Sequence, residues 1–234
     1  MKIPEWVKIG KNYDIDEGAI VGYKPSRNVP SLETIIGENA RIRSGAVIYA
    51  GSRVGDNLET GHGVVIREES VIGDNFSIWN NSTVDYGCKI GNNVKIHCNC
   101  YIAQFTTIED DTFFAPGVVV ANDPHPVCTK CMKGPTIKKG ARIGINATLL
   151  PHIVIGEYSL VGAGSVVTKG VPPKTVACGN PAKVVKSIDE LKCPLGLVDN
   201  PYKNGRDFLS RELDLKNQQY FSPNWMDSFP PKFT

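Results

Sequence analysis

The sequence lacks an excess of charge of either sign, and it also lacks long apolar runs. Its 234 residues carry 26 basic and 24 acidic side chains, for a formal net charge of +2. This balance gives no global electrostatic argument for a nucleic-acid partner. No apolar segment approaches the roughly 20 residues that a membrane-spanning helix needs, and the first ten residues lack the apolar core of a secretion signal. We therefore expect neither a nucleic-acid partner nor a membrane partner.

Cysteine occurs seven times, an odd number that does not suit a framework of paired disulfides. Without an export signal, this number indicates reduced thiols in a cytoplasmic protein. Cys128 and Cys131 form a C-x-x-C motif, and Cys193 precedes a proline further along. Two thiolates at this spacing plus a third suggest a structural zinc ion, for which His125 or Cys178 could supply the fourth ligand. Free thiols are the alternative.

What the sequence has in abundance is a period of six. Stepping by six from Ile36 to Val120, fourteen of the fifteen positions are apolar and Thr60 is the exception, and a second, mostly small set lies two positions before each. Neither a helix nor a simple alternating strand produces a sustained period of six. A period of six arises when a short strand points two side chains inward and is followed by a turn. Three such strands with their turns form one coil of a closed triangle. The pattern therefore predicts an all-β chain folded as a parallel β-helix with a continuous core.

The period is interrupted before the end of the chain. The step from Val120 to Ile137 is one position short of three full periods, so a loop spanning positions 121–136 is expected to be extruded from the coil. We expect residues 1–186 to form the β-helix domain. Residues 187–234 contain prolines and aromatic residues with no clear period. They predict a short helix and an irregular tail that lies along the solenoid or a neighbouring subunit.

Several stretches resemble one family closely. The repeat followed by "IGINATLLPHIVIGEYSLVGAGSVVTKGVPPKTVACGNPAKVV" resembles the left-handed β-helix acyltransferases with hexapeptide repeats. Within that family, "TGHGVVIREESVIGDN" and "KIHCNCYIAQFTTIEDD" are similar to N-acetyltransferases that act on dTDP- or UDP-linked amino sugars for surface polysaccharide, including lipopolysaccharide. The resemblance implies a left-handed coil, acetyl-coenzyme A as the donor, a nucleotide sugar as the acceptor, and a homotrimer with active sites between subunits.

Acetyl transfer needs an aligned nucleophile, a route for its proton and donors for the developing oxyanion. His125 stands between two prolines in the extruded loop, and it matches the His-Pro pair that supplies the general base in related sugar O-acetyltransferases. We expect His125 to join the active site with Asn122 and Asp123, although a histidine that ligates a metal cannot also be the base. By resemblance, Asn99 holds the acceptor amine. A sugar amine is partly neutral near pH 7 and does not require a strong base.

The remaining candidates would bind the two substrates. Positions three periods apart share a column of the coil, so Trp79 and His97 should lie one above the other with polar neighbours around them. The residues predicted to bind the nucleotide sugar are His62, Arg67, Trp79, Asn81, His97, Gln104, Asn122 and Asp123. By resemblance, the residues that bind coenzyme A are Ala147, Gly164, Lys169 and Lys183. The alternative interpretation of these residues is ordinary: turn formers, subunit packing and solvated charge.

Other functions stay open at this point. The first is an O-acetyltransferase of a simple sugar or a small hydroxyl compound, with His125 as an obligatory base. A zinc β-helix carbonic anhydrase would need three histidine ligands from facing turns, and nothing near His97 completes such a set. The last is a non-catalytic β-helix subunit of a larger assembly.

Overall fold

The computed structural model describes residues 3–193 and 201–202 of the chain. In this part of the chain, very short strands form three sheets that are parallel along the repeats, and each sheet is one side of a triangular coil. The chain passes from the first sheet to the second and then to the third in every coil. We name the turns by the sheets that they join: the first-to-second, second-to-third and third-to-first corners.

The strands are short because each side of the coil spans a single period of the repeat. The first sheet contains β1 (Val7–Ile9), β4 (Thr34–Ile36), β7 (Arg53–Val54), β10 (Val71–Ile72), β13 (Lys89–Ile90), β16 (Thr107–Ile108), β19 (Thr136–Ile137) and β22 (Val154–Ile155). The second contains β2 (Asp14–Ile15), β5 (Arg41–Ile42), β8 (Glu59–Thr60), β11 (Ser77–Ile78), β14 (Lys95–Ile96), β17 (Phe113–Phe114), β20 (Arg142–Ile143), β23 (Leu160–Val161), β25 (Thr175–Gly179) and β26 (Ala182–Ser187). The third contains β3 (Ile20–Tyr23), β6 (Val47–Tyr49), β9 (Val65–Ile66), β12 (Thr83–Val84), β15 (Tyr101–Ile102), β18 (Val119–Val120), β21 (Thr148–Leu149) and β24 (Val166–Val167).

Strand pairing confirms the coil length that the period predicts. Ile72 pairs with Ile90, and Ile78 pairs with Ile96, so neighbouring coils are three periods of six apart. Ile108 pairs with Ile137, which is eleven positions further than one regular coil, and the extra positions lie in the extruded loop between β18 and β19. A smaller insertion follows β3, since the paired strands β1 and β4 are nine positions further apart than one regular coil. Both insertions leave the coil at the third-to-first corner.

The core is a single column of inward side chains along the axis. Phe76 and Phe114 are among the largest fully buried side chains, and the aliphatic and small positions of the period are buried with them. Cys88 and Cys100 occupy small inward positions of the period. Their thiols donate to the main-chain oxygens of Ala103 and Ala115 at 3.3 and 3.2 Å. Burial raises the pKa of the Cys88 thiol to about 12. Both are therefore core thiols, as their phase in the repeat predicts.

Asparagines form a ladder along the first-to-second corner. The side-chain amide of Asn39 donates to Asn57, that of Asn57 to Asn75, and that of Asn75 to Asn93, with N···O distances of 3.0, 2.9 and 2.9 Å. All four have a φ between 56° and 59°, a left-handed conformation that asparagine tolerates better than most residues. Asparagine therefore suits this corner in two ways: it tolerates the left-handed backbone, and its amide bonds to the next coil.

Replacing Asn75 tests these two roles separately. Asn75→Ala is expected to lower the free energy of unfolding by about 1–2 kcal/mol, because a Cβ without a polar group strains the left-handed backbone. Asn75→Gly loses the same two amide contacts but relieves the backbone, so its loss should be smaller. Urea denaturation of the two variants provides the measurement. A glycine variant no more stable than the alanine variant would contradict the backbone argument.

The C-terminal end of the described coil differs from the repeats. β25 extends the second sheet in parallel, and β26 returns antiparallel to it as a hairpin. Ser187 and Glu190 then form a capping box around a 3-10 turn, Ile188–Glu190, which is the short helix that the sequence predicts. The irregular tail predicted beyond it lies, apart from residues 191–193, 201 and 202, outside the described residues. Within the described residues, no helix is long and apolar enough to cross a membrane.

Candidate active site

The residues predicted for the active site lie at two different corners of the coil. The second-to-third corner carries His62, Trp79, Asn81, His97 and Asn99. The third-to-first corner carries Arg67, Gln104 and Asn122, and the extruded loop adds Asp123 and His125. The third sheet lies between the two corners. The structure therefore collects each set along one edge, but it does not join the two sets within one chain.

At the second-to-third corner, His62 is exposed and tied to neighbouring coils. Its ring nitrogen Nδ1 lies 2.9 Å from the hydroxyl oxygen of Ser44. Its main-chain N–H donates to the side-chain oxygen of Asn80 at 2.9 Å. The main-chain oxygen of Asn80 in turn accepts from the N–H of Asn99 at 3.0 Å. These contacts hold the polar turns of successive coils in a fixed register.

Trp79 and His97 supply the less polar part of the same corner, and both are half-buried. The His97 ring meets Phe113 edge-on, with ring centroids 5.4 Å apart. Burial, and next the positive charge of Lys95, lowers the pKa of His97. The imidazole is therefore neutral at pH 7 and has a lone pair with which to accept a hydrogen bond.

Asn81 and Asn99 occupy equivalent positions in the turn, one coil apart. Both are exposed, and both have a left-handed backbone, with φ of 58° and 59°. This conformation explains asparagine at these positions without any ligand. The exposed side-chain amides nevertheless lie at the same corner as His97, so the role of Asn99 toward an acceptor amine stays a prediction.

Arg67 at the third-to-first corner is already paired within its own chain. Its guanidinium makes a two-bond contact with Glu68, at 3.1 and 2.9 Å, and it lies 3.3 Å from a carboxylate oxygen of Asp85. Glu68 is fully buried. Burial alone would raise the pKa of Glu68, but the hydrogen bonds from Arg67 and from Arg27 outweigh it and lower the pKa. The guanidinium of Arg67 would have to leave these two carboxylates before it could bind the nucleotide sugar, so its predicted role toward the substrate stays a prediction.

The carboxylate of Asp85 connects this ion pair to the extruded loop. Its Oδ2 accepts from the Tyr101 hydroxyl at 2.7 Å and from the Gln104 amide at 2.5 Å. The Gln104 oxygen accepts from the amide of Asn122 at 2.7 Å. Burial, and next the bond to Asp85, raises the pKa of Tyr101 well above its usual range. Gln104 and Asn122 therefore anchor the start of the loop.

The extruded loop is organised around Asp123. Its carboxylate accepts from the main-chain N–H of His125 at 3.0 Å and from that of Cys128 at 2.7 Å. The Cys128 donor and then the His125 donor hold the pKa of Asp123 below its usual value. Asp123 therefore orders the backbone of the loop by hydrogen bonding, and the side chain of His125 is exposed to solvent.

His125 lies with two of the three cysteines proposed for zinc. The ligand atoms of His125, Cys128 and Cys131 all fall within 4.8 Å of one another. Cys193, the third thiol that the sequence suggests, is half-buried and is not part of this group, although it is among the described residues. The structure therefore groups the C-x-x-C motif with the loop histidine instead.

The residues predicted to bind coenzyme A differ in their exposure and in the groups that a ligand could contact. Gly164 is exposed at the second-to-third corner with φ of 66°, and nothing lies within 4 Å of the place where a Cβ would stand. Lys183 is exposed and pairs with Cys178 in the hairpin next to this corner, and Lys169 is exposed in the turn after β24. Ala147 is fully buried, and its main-chain N–H is bonded to Gly144. Ala147 therefore presents no side chain to a ligand.

Sequence reasoning missed Asp85 and Tyr101 and did not anticipate that Glu68 is buried. One signal was readable: Arg67 and Asp85 are three periods of six apart, so opposite charges fall at the same place in successive coils. The bond between Tyr101 and Asp85 has no such signal, because the two residues do not share a column of the repeat.

Comparison with known families agrees with this architecture. The model of the bacterial transferase hexapeptide family (six repeats) matches residues 33–68, 69–104, 87–122 and 134–169. These segments cover more than half of the chain and coincide with the regular coils. The chain belongs to the bacterial transferase hexapeptide family.

Individual relatives match over shorter stretches. The chain is 36% identical over 91 residues to a galactoside O-acetyltransferase of Escherichia coli, covering 36% of this chain and 45% of the relative. It is 44% identical over 64 residues to a dTDP-3-amino-3,6-dideoxy-alpha-D-galactopyranose 3-N-acetyltransferase of Aneurinibacillus thermoaerophilus, covering 27% of this chain and 33% of the relative. The matches thus span less than half of the length of these curated relatives.

Among solved structures, the chain is similar to LpxA, a UDP-N-acetylglucosamine acyltransferase from Bacteroides fragilis. The TM-score is 0.64 at 26% sequence identity, and the match covers 78% of this chain and 71% of that chain. Together with the hexapeptide repeats, this likeness confirms the left-handed parallel β-helix that the sequence predicts.

Proposed function

We propose that this protein is an N-acetyltransferase that moves the acetyl group of acetyl-coenzyme A to the amine of a dTDP- or UDP-linked amino sugar. The family and the 44% match to an amino-sugar N-acetyltransferase support this acceptor. One feature of the geometry favours an amine over a hydroxyl group as the acceptor. Among the described residues, no histidine ring is hydrogen-bonded to a carboxylate that would orient it as a strong base. An amine with a free lone pair is the acceptor that needs a base least.

In the reaction, the sugar nitrogen attacks the thioester carbonyl carbon, and collapse of the tetrahedral intermediate releases the coenzyme A thiolate. The nitrogen loses one proton, which reaches the thiolate or water. We expect the exposed amide oxygen of Asn99 and the ring of His97, which share this corner, to accept hydrogen bonds from the amine and so align its lone pair. Trp79, in the coil below His97, provides a flat apolar surface for the sugar or its base.

Coenzyme A would lie at the C-terminal end of the same corner. The open backbone at Gly164 lets an extended chain approach closely. Lys183 is exposed next to this corner, and Lys169 is exposed in the turn after β24, at the C-terminal end of the third sheet; both can pair with phosphate groups. The donor thioester would then run along the corner toward His97 and Asn99.

We expect the complete site to form between copies of the chain. The loop with His125 leaves the third-to-first corner, whereas His97 and Asn99 lie at the second-to-third corner, on the other edge of the third sheet. The outer face of that sheet exposes Ile20, Tyr101 and Val119, an apolar surface suited to another copy. A closed homotrimer, with each site formed between two subunits, meets these requirements.

A second candidate is an O-acetyltransferase. The match to a galactoside O-acetyltransferase and the exposed His125 on the extruded loop favour it. This reaction needs a general base, because a sugar hydroxyl is not deprotonated near pH 7. His125 would have to accept that proton directly.

A panel of acceptors separates the two functions. We expect thiol release from acetyl-coenzyme A with dTDP- or UDP-amino sugars, and none above background with galactosides. With the amino sugar, His125→Asn should keep the rate within about tenfold, whereas loss of an obligatory base costs about 10²–10⁴-fold. Turnover of hydroxyl acceptors alone would contradict the proposal. Absence of turnover with every acceptor, for a folded protein, would favour a non-catalytic subunit.

A further inference from the structure

We propose that His125, Cys128 and Cys131 bind a thiophilic divalent cation such as Zn²⁺ at the tip of the extruded loop. The imidazole and the two thiols bring their ligand atoms within 4.8 Å of one another. In a tetrahedral zinc site the metal–ligand distances of about 2.0–2.3 Å place neighbouring ligand atoms roughly 3.5–3.8 Å apart. Small side-chain rotations are enough to reach that spacing.

The donor set has the right chemistry for such a cation. Two thiolates neutralise the charge of a divalent ion, and a neutral imidazole adds a third bond without further charge. The two cysteines sit on one tight turn, in which the N–H of Cys131 reaches the main-chain oxygen of Cys128 at 3.4 Å. The fourth position is available to water, because all three side chains lie in a loop that reaches solvent.

The backbone around the three ligands is held in place. The Asp123 carboxylate accepts from the N–H groups of both His125 and Cys128. The main-chain oxygen of Cys131 lies 2.8 Å from Nε2 of His152, and because a carbonyl can only accept, this nitrogen carries the proton. Each ligand residue is therefore anchored by a hydrogen bond to a side chain that is not itself a ligand, which is how metal sites are commonly supported.

Apart from these hydrogen bonds, apolar packing contributes little to the stability of the loop tip. Val127, between the histidine and the first cysteine, is 95% exposed, and Pro124 and Pro126 are also exposed. No apolar side chain of the segment from 123 to 131 is buried in the core. A cation that cross-links His125 to the C-x-x-C turn would close the tip and position the loop relative to the coil.

Metal binding and general-base catalysis by His125 exclude each other. An imidazole nitrogen bonded to the cation has no lone pair with which to take a proton from an acceptor. The cation proposal does not rest on the proposed enzymatic function, because it is tested by metal content in the absence of any substrate.

The test is metal stoichiometry in the reduced, purified protein. After dialysis against Zn²⁺ and then against metal-free buffer, elemental analysis is expected to find about one zinc per chain. Cys128→Ser, Cys131→Ser and His125→Asn should each weaken binding by at least tenfold. Cys98→Ser, which changes a half-buried thiol outside the loop, and Cys193→Ser should retain the metal. Circular dichroism confirms that the variants are folded.

A second measurement identifies the ligands directly. Cobalt(II) in place of zinc should give an absorption band for charge transfer from thiolate to metal, and this band should disappear in Cys128→Ser and persist in Cys98→Ser. Absence of zinc at micromolar concentrations, a cobalt spectrum without that band, or a disulfide between Cys128 and Cys131 that persists after treatment with a thiol reductant would each overturn the proposal. Loss of metal from Cys193→Ser would overturn this ligand set.

Discussion

Phe114→Ala is expected to lower the free energy of unfolding by about 3–5 kcal/mol, the range for removing a buried aromatic ring. Phe114 is fully buried on β17 and is one of the two largest side chains in the core. The coils above and below are joined to its strand by main-chain hydrogen bonds, so they cannot collapse into the cavity. The measurement is the urea midpoint at a fixed protein concentration, because any assembly would make stability depend on concentration.

Phe113 provides the matched control on the same strand. It points outward, is half-buried and contacts His97. Phe113→Ala removes the same ring without opening a core cavity, so its effect on unfolding should be clearly smaller. Equal losses for Phe113 and Phe114 would contradict the inward and outward assignment that the period of six predicts.

Glu68→Ala is expected to lower the free energy of unfolding by about 2–4 kcal/mol. The Glu68 carboxylate is fully buried and accepts hydrogen bonds from Arg67 and Arg27. Removing one partner of a buried ion pair typically costs about 3–5 kcal/mol, because the remaining charge loses its compensation. The expected loss is smaller here because both guanidiniums reach solvent in part.

Two further variants separate charge from packing at this position. Glu68→Gln keeps the shape and an acceptor oxygen but removes the charge, so its stability should lie between those of the wild type and Glu68→Ala. Glu69→Ala removes a neighbouring, half-buried carboxylate that pairs with Arg27, and it should cost less than about 1 kcal/mol. A Glu69 effect as large as that of Glu68 would contradict the importance of burial.

The sequence predicted the fold well because the inward positions depend only on distance along the chain. Ile78 and Ile96 are three periods of six apart, and they pair in neighbouring coils. The same reasoning assigned Cys88 and Cys100 to the core, where both are found. Because each coil repeats the previous one, many equivalent positions support the same inward assignment, and one irregular residue such as Thr60 does not change it.

The outward residues were harder to predict because their contacts depend on side-chain direction. Arg67 is predicted to bind the nucleotide sugar, and in the structure its guanidinium pairs with Glu68 and Asp85 of its own chain. The C-x-x-C motif is local and is recognised from the sequence, which adds Cys193 as the third ligand and leaves the fourth open between His125 and Cys178. Cys193 lies beyond the repeats, where no period indicates its position, whereas His125 is brought to the motif by the turn of the loop around Asp123.

The polar contacts at the third-to-first corner restrict how the length of this protein can change. Arg27, from the insertion after β3, bonds to Glu68, and Asp85 and Gln104 continue the contacts coil by coil up to Asn122. Deleting one whole coil between the two insertions would leave every core position filled by an equivalent residue. It would nevertheless remove one member of this series and leave its neighbours without partners. The number of coils between the two insertions is therefore set at the surface, although the core would accept other numbers.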